Sequence, residues 1–188
     1  MSIKIFSNNV KGIRNHMKRK KIFNFCANLQ CQFFCLQETH SDKLSETEWK
    51  TDWGGQIFFS HGNTNSLGVA ILAKTNQNIV DVITDTHGRY IILKVKIGNK
   101  CIAITSIYAP NTETEQTVFY NNLLQILIGT PFDELLLGGD FNLCLNNVLD
   151  KKGGNVHVKK SLRSLKNIMK EINLIDSWRK RNPNKNQI

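Results

Sequence analysis

Two apolar runs in this chain end in acids, about a hundred positions apart. Cys35-Leu36-Gln37-Glu38-Thr39-His40 closes one run with a single carboxylate. Leu137-Gly138-Gly139-Asp140-Phe141-Asn142 stops another in two glycines, then delivers a carboxylate and a carboxamide two residues apart. Apolar runs this short, bounded by turn residues, read as buried strands. A strand can present an acid only where it leaves the core, at the rim of its sheet. Were both acids to meet at one rim, they would form a pocket floor suited to Mg²⁺, and through Mg²⁺ to a phosphate.

The rest of the chain reads as a strand-rich α/β sequence. Strands are predicted at 3–6, 32–37, 56–60, 67–72, 79–84, 90–97, 101–108 and 134–137. Gly98-Asn99 joins two of them as a two-residue hairpin turn. Helical spacing is predicted over 17–29, with Met17, Ile22, Cys26 and Leu29 on one face. A second helix is predicted over 115–128, with Val118, Phe119, Leu123, Ile126 and Leu127 inward. A third covers 161–174, with Leu162, Leu165, Ile168, Met169 and Ile172. No internal repeat or low-complexity segment interrupts this pattern. Residues 179–188 form a polar, basic tail.

At 188 residues the chain fits one domain or part of a larger one. Its 40% hydrophobic and 21% charged residues describe a globular chain and exclude disorder. Lys+Arg 25 against Asp+Glu 15 leaves a net charge of +10, which favours a polyanionic partner, nucleic acid above all. Cys26, Cys31, Cys35, Cys101 and Cys144 are odd in number, contain no CxxC pair and match no zinc spacing. They read as reduced thiols. The start, MSIKIFSNNV, has no apolar signal core, and no apolar run reaches membrane-spanning length. The expectation is an intracellular protein, nuclear or cytoplasmic, with no membrane and no obligate protein partner.

Each chemical candidate has two readings. Glu38 at a strand end is a metal ligand, or a rim acid that caps a helix or pairs with a lysine. Asp140 and Asn142 at i, i+2 point to one side if the segment stays extended; in a tight turn Asp140 would merely cap a helix. Asn9 follows the first strand and reaches the same rim, or satisfies its own turn. Tyr108 ends a long apolar strand, where a phenol donates to a phosphate oxygen or finishes the core. Lys11, Arg14, Lys18, Arg19, Lys20 and Lys21 start just after Asn9, as a phosphate-binding patch or a solvated helix face. His16, His40, His61, His87 and His157 are scattered, and none is expected to be a ligand. No P-loop and no nucleophilic triad spacing is present.

Asn9-Val10-Lys11-Gly12-Ile13, LQETH (36–40), SLGVAIL (66–72), IYAPN (107–111) and GGDFN (138–142) occur in this order. Together they resemble the endonuclease/exonuclease/phosphatase superfamily, and within it the endonuclease domains of LINE-type retrotransposons, relatives of the abasic-site endonucleases. QETH, the SLGVAIL strand and Asp176-Ser177-Trp178-Arg179 with Asn182-Pro183 carry the likeness to that branch. The resemblance implies a four-layer α/β sandwich of the DNase I-like type, with two mixed sheets face to face and helices outside. It implies an Mg²⁺-dependent hydrolase (Mn²⁺ as an alternative ion) that cleaves a DNA phosphodiester and leaves a 3′-hydroxyl, which in the retrotransposon branch primes reverse transcription. By the same resemblance Glu38 is the principal metal ligand with Asn9 beside it. Asp140 orients or deprotonates water, and Asn142 and Tyr108 hold the phosphate. Asp140 and Asn142 are also candidate metal ligands. Lys11, Arg14, Lys18, Arg19 and Asn111 contact DNA.

Two departures qualify the likeness. Lys11 stands where this branch commonly has a second asparagine, in the pattern N-x-N-G. The Ser-Arg-Ile-Asp and Ser-Asp-His motifs of the family occur nowhere in the chain. Losing a transition-state stabiliser of that kind costs about 10²-fold or more in rate, roughly 3 kcal/mol. Residues 1–188 are therefore expected to be the N-terminal portion of a single domain, cut within the 179–188 tail, with strands of the second sheet missing. The inner face of the first sheet would then lie open, and activity would be impaired. The alternative is a non-catalytic nucleic-acid-binding remnant.

Overall fold

Among the described residues, runs of β-branched and aromatic residues build eight strands, which pair into two four-stranded sheets in a computed structural model. The structure describes residues 3–63, 65–146 and 160–185. The chain divides into two units, Met1–Tyr108 with Phe132–Asp140, and Ala109–Pro131 with Phe141–Ile188.

In the first unit, β1 (Ile5–Asn9), β2 (Phe33–Gln37), β3 (Gln56–Ser60) and β4 (Val69–Ala73) form a sheet in the order β1-β2-β4-β3. β1 and β2 run parallel and the other pairs antiparallel. β5 (Ile79–Thr84), β6 (Tyr90–Ile97), β7 (Lys100–Tyr108) and β8 (Glu134–Asp140) form the second sheet in chain order, with only β7 and β8 parallel. β2 and β4 are buried along their whole length, as central strands covered on both faces must be. Phe34, Leu36, Ala70 and Leu72 pack against Phe23, Cys26 and Trp49 of two helices, α1 (His16–Asn28) and α2 (Glu46–Trp53). The alternate residues Phe33, Cys35, Val69 and Ile71 pack against Ile91, Leu93, Val95, Ile102 and Ile104 of the second sheet. The first sheet thus lies between helices and the second sheet.

That packing corrects one expectation. The inner face of the first sheet is closed, with Phe33, Val69, Ile71 and Ala73 all at 0% exposure. Strands β5 to β7, joined by short antiparallel connections, together with parallel β8 are enough to cover it.

The β6–β7 hairpin pairs Ile97 with Lys100, so Gly98-Asn99 is a two-residue turn, and Gly98 takes a left-handed φ of 59°. The second glycine of the GGD run has a definite cause. A Cβ on Gly139 would lie 2.1 Å from the Ile107 carbonyl oxygen, so only glycine lets β8 approach β7 at this register.

Helix α1 is rotated from its predicted face. Arg19, Phe23 and Cys26 are buried, whereas Met17 is 65% exposed. The i, i+4, i+7 stripe therefore starts on an arginine, which the apolar pattern did not count. Two short α-helices among the described residues were not predicted. One is α2, which presents a single buried residue, Trp49, and ends on Gly54 at φ 71°. The other, α5 (Ser177–Arg181), starts on Asp176, whose side chain accepts from the Arg179 amide. Cys26, Cys31, Cys35 and Cys101 are free thiols, and burial pushes those of Cys26 and Cys35 up to about 12.

The second unit holds α3 (Glu113–Gly129), α4 (Lys160–Glu171) and α5. Thr112 caps α3 through the Glu115 amide, and Glu115 answers with a hydrogen bond from the Thr112 hydroxyl. Helix α3 buries Gln116, Tyr120, Leu123, Leu124 and Leu127, while predicted core residue Val118 is 56% exposed. The Lys160 amide donates to Glu113 Oε1 at 2.6 Å, fastening the start of α4 to the start of α3. Residue His157 and the end of the polar tail at 186–188 lie outside the described residues. No described helix is long and apolar enough to cross a membrane.

Candidate active site

Parallel pairing sets the register on which the site is built. β1 and β2 are aligned with Asn9 opposite Gln37, so both strands finish together and Glu38 follows at once. β7 and β8 are aligned with Tyr108 opposite Asp140, so those strands also finish together. A buried polar link ties the two pairs: Gln37 Nε2 donates to Ser106 Oγ on β7 at 2.9 Å and to Ser7 Oγ on β1 at 3.2 Å. Such a link inside an apolar core fixes register more than it stabilises.

The structure brings four of the predicted residues to this rim. Asn9 Nδ2 donates to Asp140 Oδ2 at 2.9 Å, while Asn9 Oδ1 accepts from the Lys11 amide at 3.0 Å. Tyr108 shares a hydrogen bond with Glu38. Burial first, then the negative charges of Glu38 and Asp140, holds this phenol above its ordinary range. It is therefore a neutral donor at physiological pH. Arg89 braces it from behind, with the guanidinium 5.4 Å from the ring centroid and Nη1 donating to the Tyr108 carbonyl at 3.3 Å.

The backbone here is strained. Lys11, Glu38 and His40 take φ of 49°, 55° and 57°, the left-handed region that costs an L residue about 1 kcal/mol. Hydrogen bonds on both sides hold it there. The Val10, Gly12 and Ile13 amides donate to the carbonyls of Gln37, Glu38 and Thr39, and the Thr39 and His40 amides donate to Gly68 and Leu67. Gly12 is obligatory, since a Cβ there would sit 2.6 Å from His40 Nδ1. His40, not expected as a site residue, places Nε2 3.7 Å from Glu38 Oε1. Its signal was present in the sequence as an imidazole two residues beyond the acid.

Other predicted residues belong to the second unit or are committed to partners of their own. Asn142 and Asn111 belong to the second unit, where Asn142 Nδ2 donates to the Ala109 carbonyl at 2.7 Å. Arg19 is fully buried, paired with Glu48 at 2.5 Å and Asp52 at 2.8 Å and lying over Trp49. It cannot reach DNA, which corrects that assignment. Arg14 pairs with Asp42 at 2.8 Å and remains 43% exposed, and Lys18 Nζ donates to the Lys11 carbonyl at 2.7 Å.

Glu38, Asp140 and Asn9 offer hard oxygen donors, a set that fits Mg²⁺ or Mn²⁺ and is ill suited to softer ions. Among the described residues a different group, His16, Glu48 and Asp52, packs its ligand atoms within 4.8 Å of one another. Buried Arg19 already supplies the cation for its two acids.

Residues 5–152 match the Endonuclease/Exonuclease/phosphatase family. Over 97% of its length the chain is 29% identical to an uncharacterized 149 kDa protein of transposon TX1 from Xenopus laevis, and it spans 14% of that protein. Among solved structures, an AP endonuclease from Archaeoglobus fulgidus superposes with a TM-score of 0.77 at 20% identity, covering 98% of this chain and 76% of that one. The 3′ phosphatase NExo from Neisseria, bound to a product DNA hairpin, gives 0.76 at 18% identity with the same coverage. These likenesses establish a DNase I-like α/β fold, and the transposon relative agrees with the retrotransposon branch read from the motifs. The chain belongs to the endonuclease/exonuclease/phosphatase family.

Proposed function

We propose that this chain is a divalent-metal-dependent phosphodiesterase that nicks DNA, of the retrotransposon type. The observation that carries this reading is the joined pair of contacts at one rim: Asn9 on Asp140, and Tyr108 on Glu38. Glu38 would hold Mg²⁺ or Mn²⁺ with Asn9 and Asp140, and the bound ion would neutralise charge developing on the phosphate. Asp140, oriented by Asn9, accepts the proton of the attacking water. Tyr108, kept protonated, would turn its single O–H from Glu38 to a phosphate oxygen when substrate binds. Lys11, Arg14 and Lys18 border the strand ends and hold the flanking phosphates. The P–O3′ bond breaks and the departing O3′ takes a proton from solvent, leaving a 3′-hydroxyl and a 5′-phosphate. The place of action would be the nucleus or cytoplasm.

Relaxation of supercoiled plasmid in Mg²⁺ tests the reading. Nicking that disappears in Glu38→Ala and in Asp140→Ala supports it. A second reading is favoured by the +10 charge: a nucleic-acid-binding domain without turnover. Its mark is salt-sensitive DNA binding that survives both substitutions with no nicking.

A further inference from the structure

The strained turn that carries Glu38 is fastened from behind by a chain of side chains. Thr39 Oγ1 donates to Ser41 Oγ at 3.2 Å, Ser41 Oγ meets His61 Nδ1 at 3.0 Å, and His61 Nε2 meets Glu46 Oε1 at 2.9 Å. Lys50 closes the chain on the other Glu46 oxygen at 2.7 Å. The connectivity is that of a serine, histidine and acid triad. Ser41 is at 0% exposure, however, so its hydroxyl is not open to an electrophile. The chain is therefore suited to holding a backbone rather than to attacking a substrate.

We propose that His61 is a positioning residue for Glu38, acting through Ser41 and Thr39 to lock the left-handed turn in which the candidate metal carboxylate sits. This rests on the site reading given under Proposed function. With Glu46 ionised, Nε2 carries the ring proton and donates to it. Nδ1 then accepts from Ser41, and Ser41 accepts from Thr39, so every hydroxyl in the line has a defined direction. Thr39 cannot retreat, because it is packed against the Gly68 backbone, where a Cβ would come within 2.5 Å of its Oγ1. Its amide and carbonyl are bound to Gly68 and Ile13, one residue from the acid. Partners one step removed from a metal ligand commonly change ion affinity about 10–100-fold.

The experiment separates hydrogen bonding from packing. The His61 ring stacks on Phe59 at 5.1 Å, and His61→Phe keeps a ring there while removing both nitrogens. His61→Asn keeps a polar atom near the Nδ1 position, and Ser41→Ala cuts the same line with almost no change in volume. Mn²⁺ affinity, read by electron paramagnetic resonance, and amide hydrogen exchange at Thr39 and His40 are measured for each. His61→Phe and Ser41→Ala are expected to weaken Mn²⁺ binding about tenfold and to speed exchange at both amides, with His61→Asn recovering most of the loss. Nitrogen shifts of His61 should report the Nε2–H tautomer. Affinity and exchange within twofold of the unaltered protein in both His61→Phe and Ser41→Ala overturn the inference while leaving the site reading intact. Equal Mn²⁺ binding by the unaltered protein and Glu38→Gln overturns the site reading and the inference with it.

Discussion

Two acidic clusters in the first unit look alike on paper and differ in what holds them. On α1 and α2, Glu48 and Asp52 are drawn together around the buried Arg19 guanidinium, with His16 Nε2 3.5 Å from Asp52. At the strand ends, Asp140 takes an amide from Asn9 and Glu38 takes a phenol from Tyr108, both neutral donors. A cation among acids neutralises them and leaves nothing for an ion to do. Neutral donors orient acids and preserve their charge. The denser cluster is therefore a structural brace, and the sparser one, set on strained backbone, is the candidate site.

The comparison is broken or sharpened by a graded set of substitutions. Asp140→Ala should lower plasmid nicking about 10³-fold, the scale of losing a general base, while shifting the urea midpoint little. Arg19→Met should do the reverse. Removing the cation leaves two acids facing each other beside the core, at a cost of about 3 kcal/mol in urea unfolding. The cost sits at the low end for such a pair because Glu48 is 55% exposed. Nicking by the folded fraction should be unchanged, and a specific loss of turnover there would erase the distinction between the clusters.

Tyr108→Phe should reduce turnover by about 10–100-fold, an oxyanion-donor effect. Because its phenol is held above the ordinary range, the pH–rate profile should show no basic limb from this group below about pH 10. Smaller still, Lys11→Gln should weaken DNA binding a few-fold and lower the salt slope by about 1. The Glu46 carboxyl lies below its usual range, since hydrogen bonds from Lys50 and His61 outweigh the burial that opposes its charge. A depressed folded value adds stability above the ordinary carboxylate range, lost as pH falls through that value. Glu46→Gln should lower stability slightly near neutrality and flatten its fall with pH below about pH 4.

Much of the fold was legible because a short apolar run bounded by turn residues is a local property. Gln56–Ser60, Ile79–Thr84 and Tyr90–Ile97 have the bounds read from their patterns alone. Helix α2 escaped because eight residues with one buried tryptophan give no stripe, although Glu46, Glu48 and Gly54 mark its ends. Arg19 was taken for a surface charge because a Lys-Arg-Lys-Lys run reads as solvated. Its burial depends on Asp52, 33 positions away. Glu38 and Asp140 stood out as acids that end apolar strands. His61 did not, since its link to Ser41 exists only when β3 and the turn after β2 are brought together. Local pattern reveals strand ends, and only tertiary contact reveals what steadies them.

The central claim is that Glu38 and Asp140 serve one divalent ion at the strand ends while the α1–α2 acids serve Arg19. Mn²⁺ titration of the unaltered protein, Glu38→Gln, Asp140→Asn and Glu48→Gln decides it. The account expects each of the first two substitutions to weaken binding at least tenfold, and Glu48→Gln to leave it unchanged. Binding that falls with Glu48→Gln and survives both rim substitutions would contradict it.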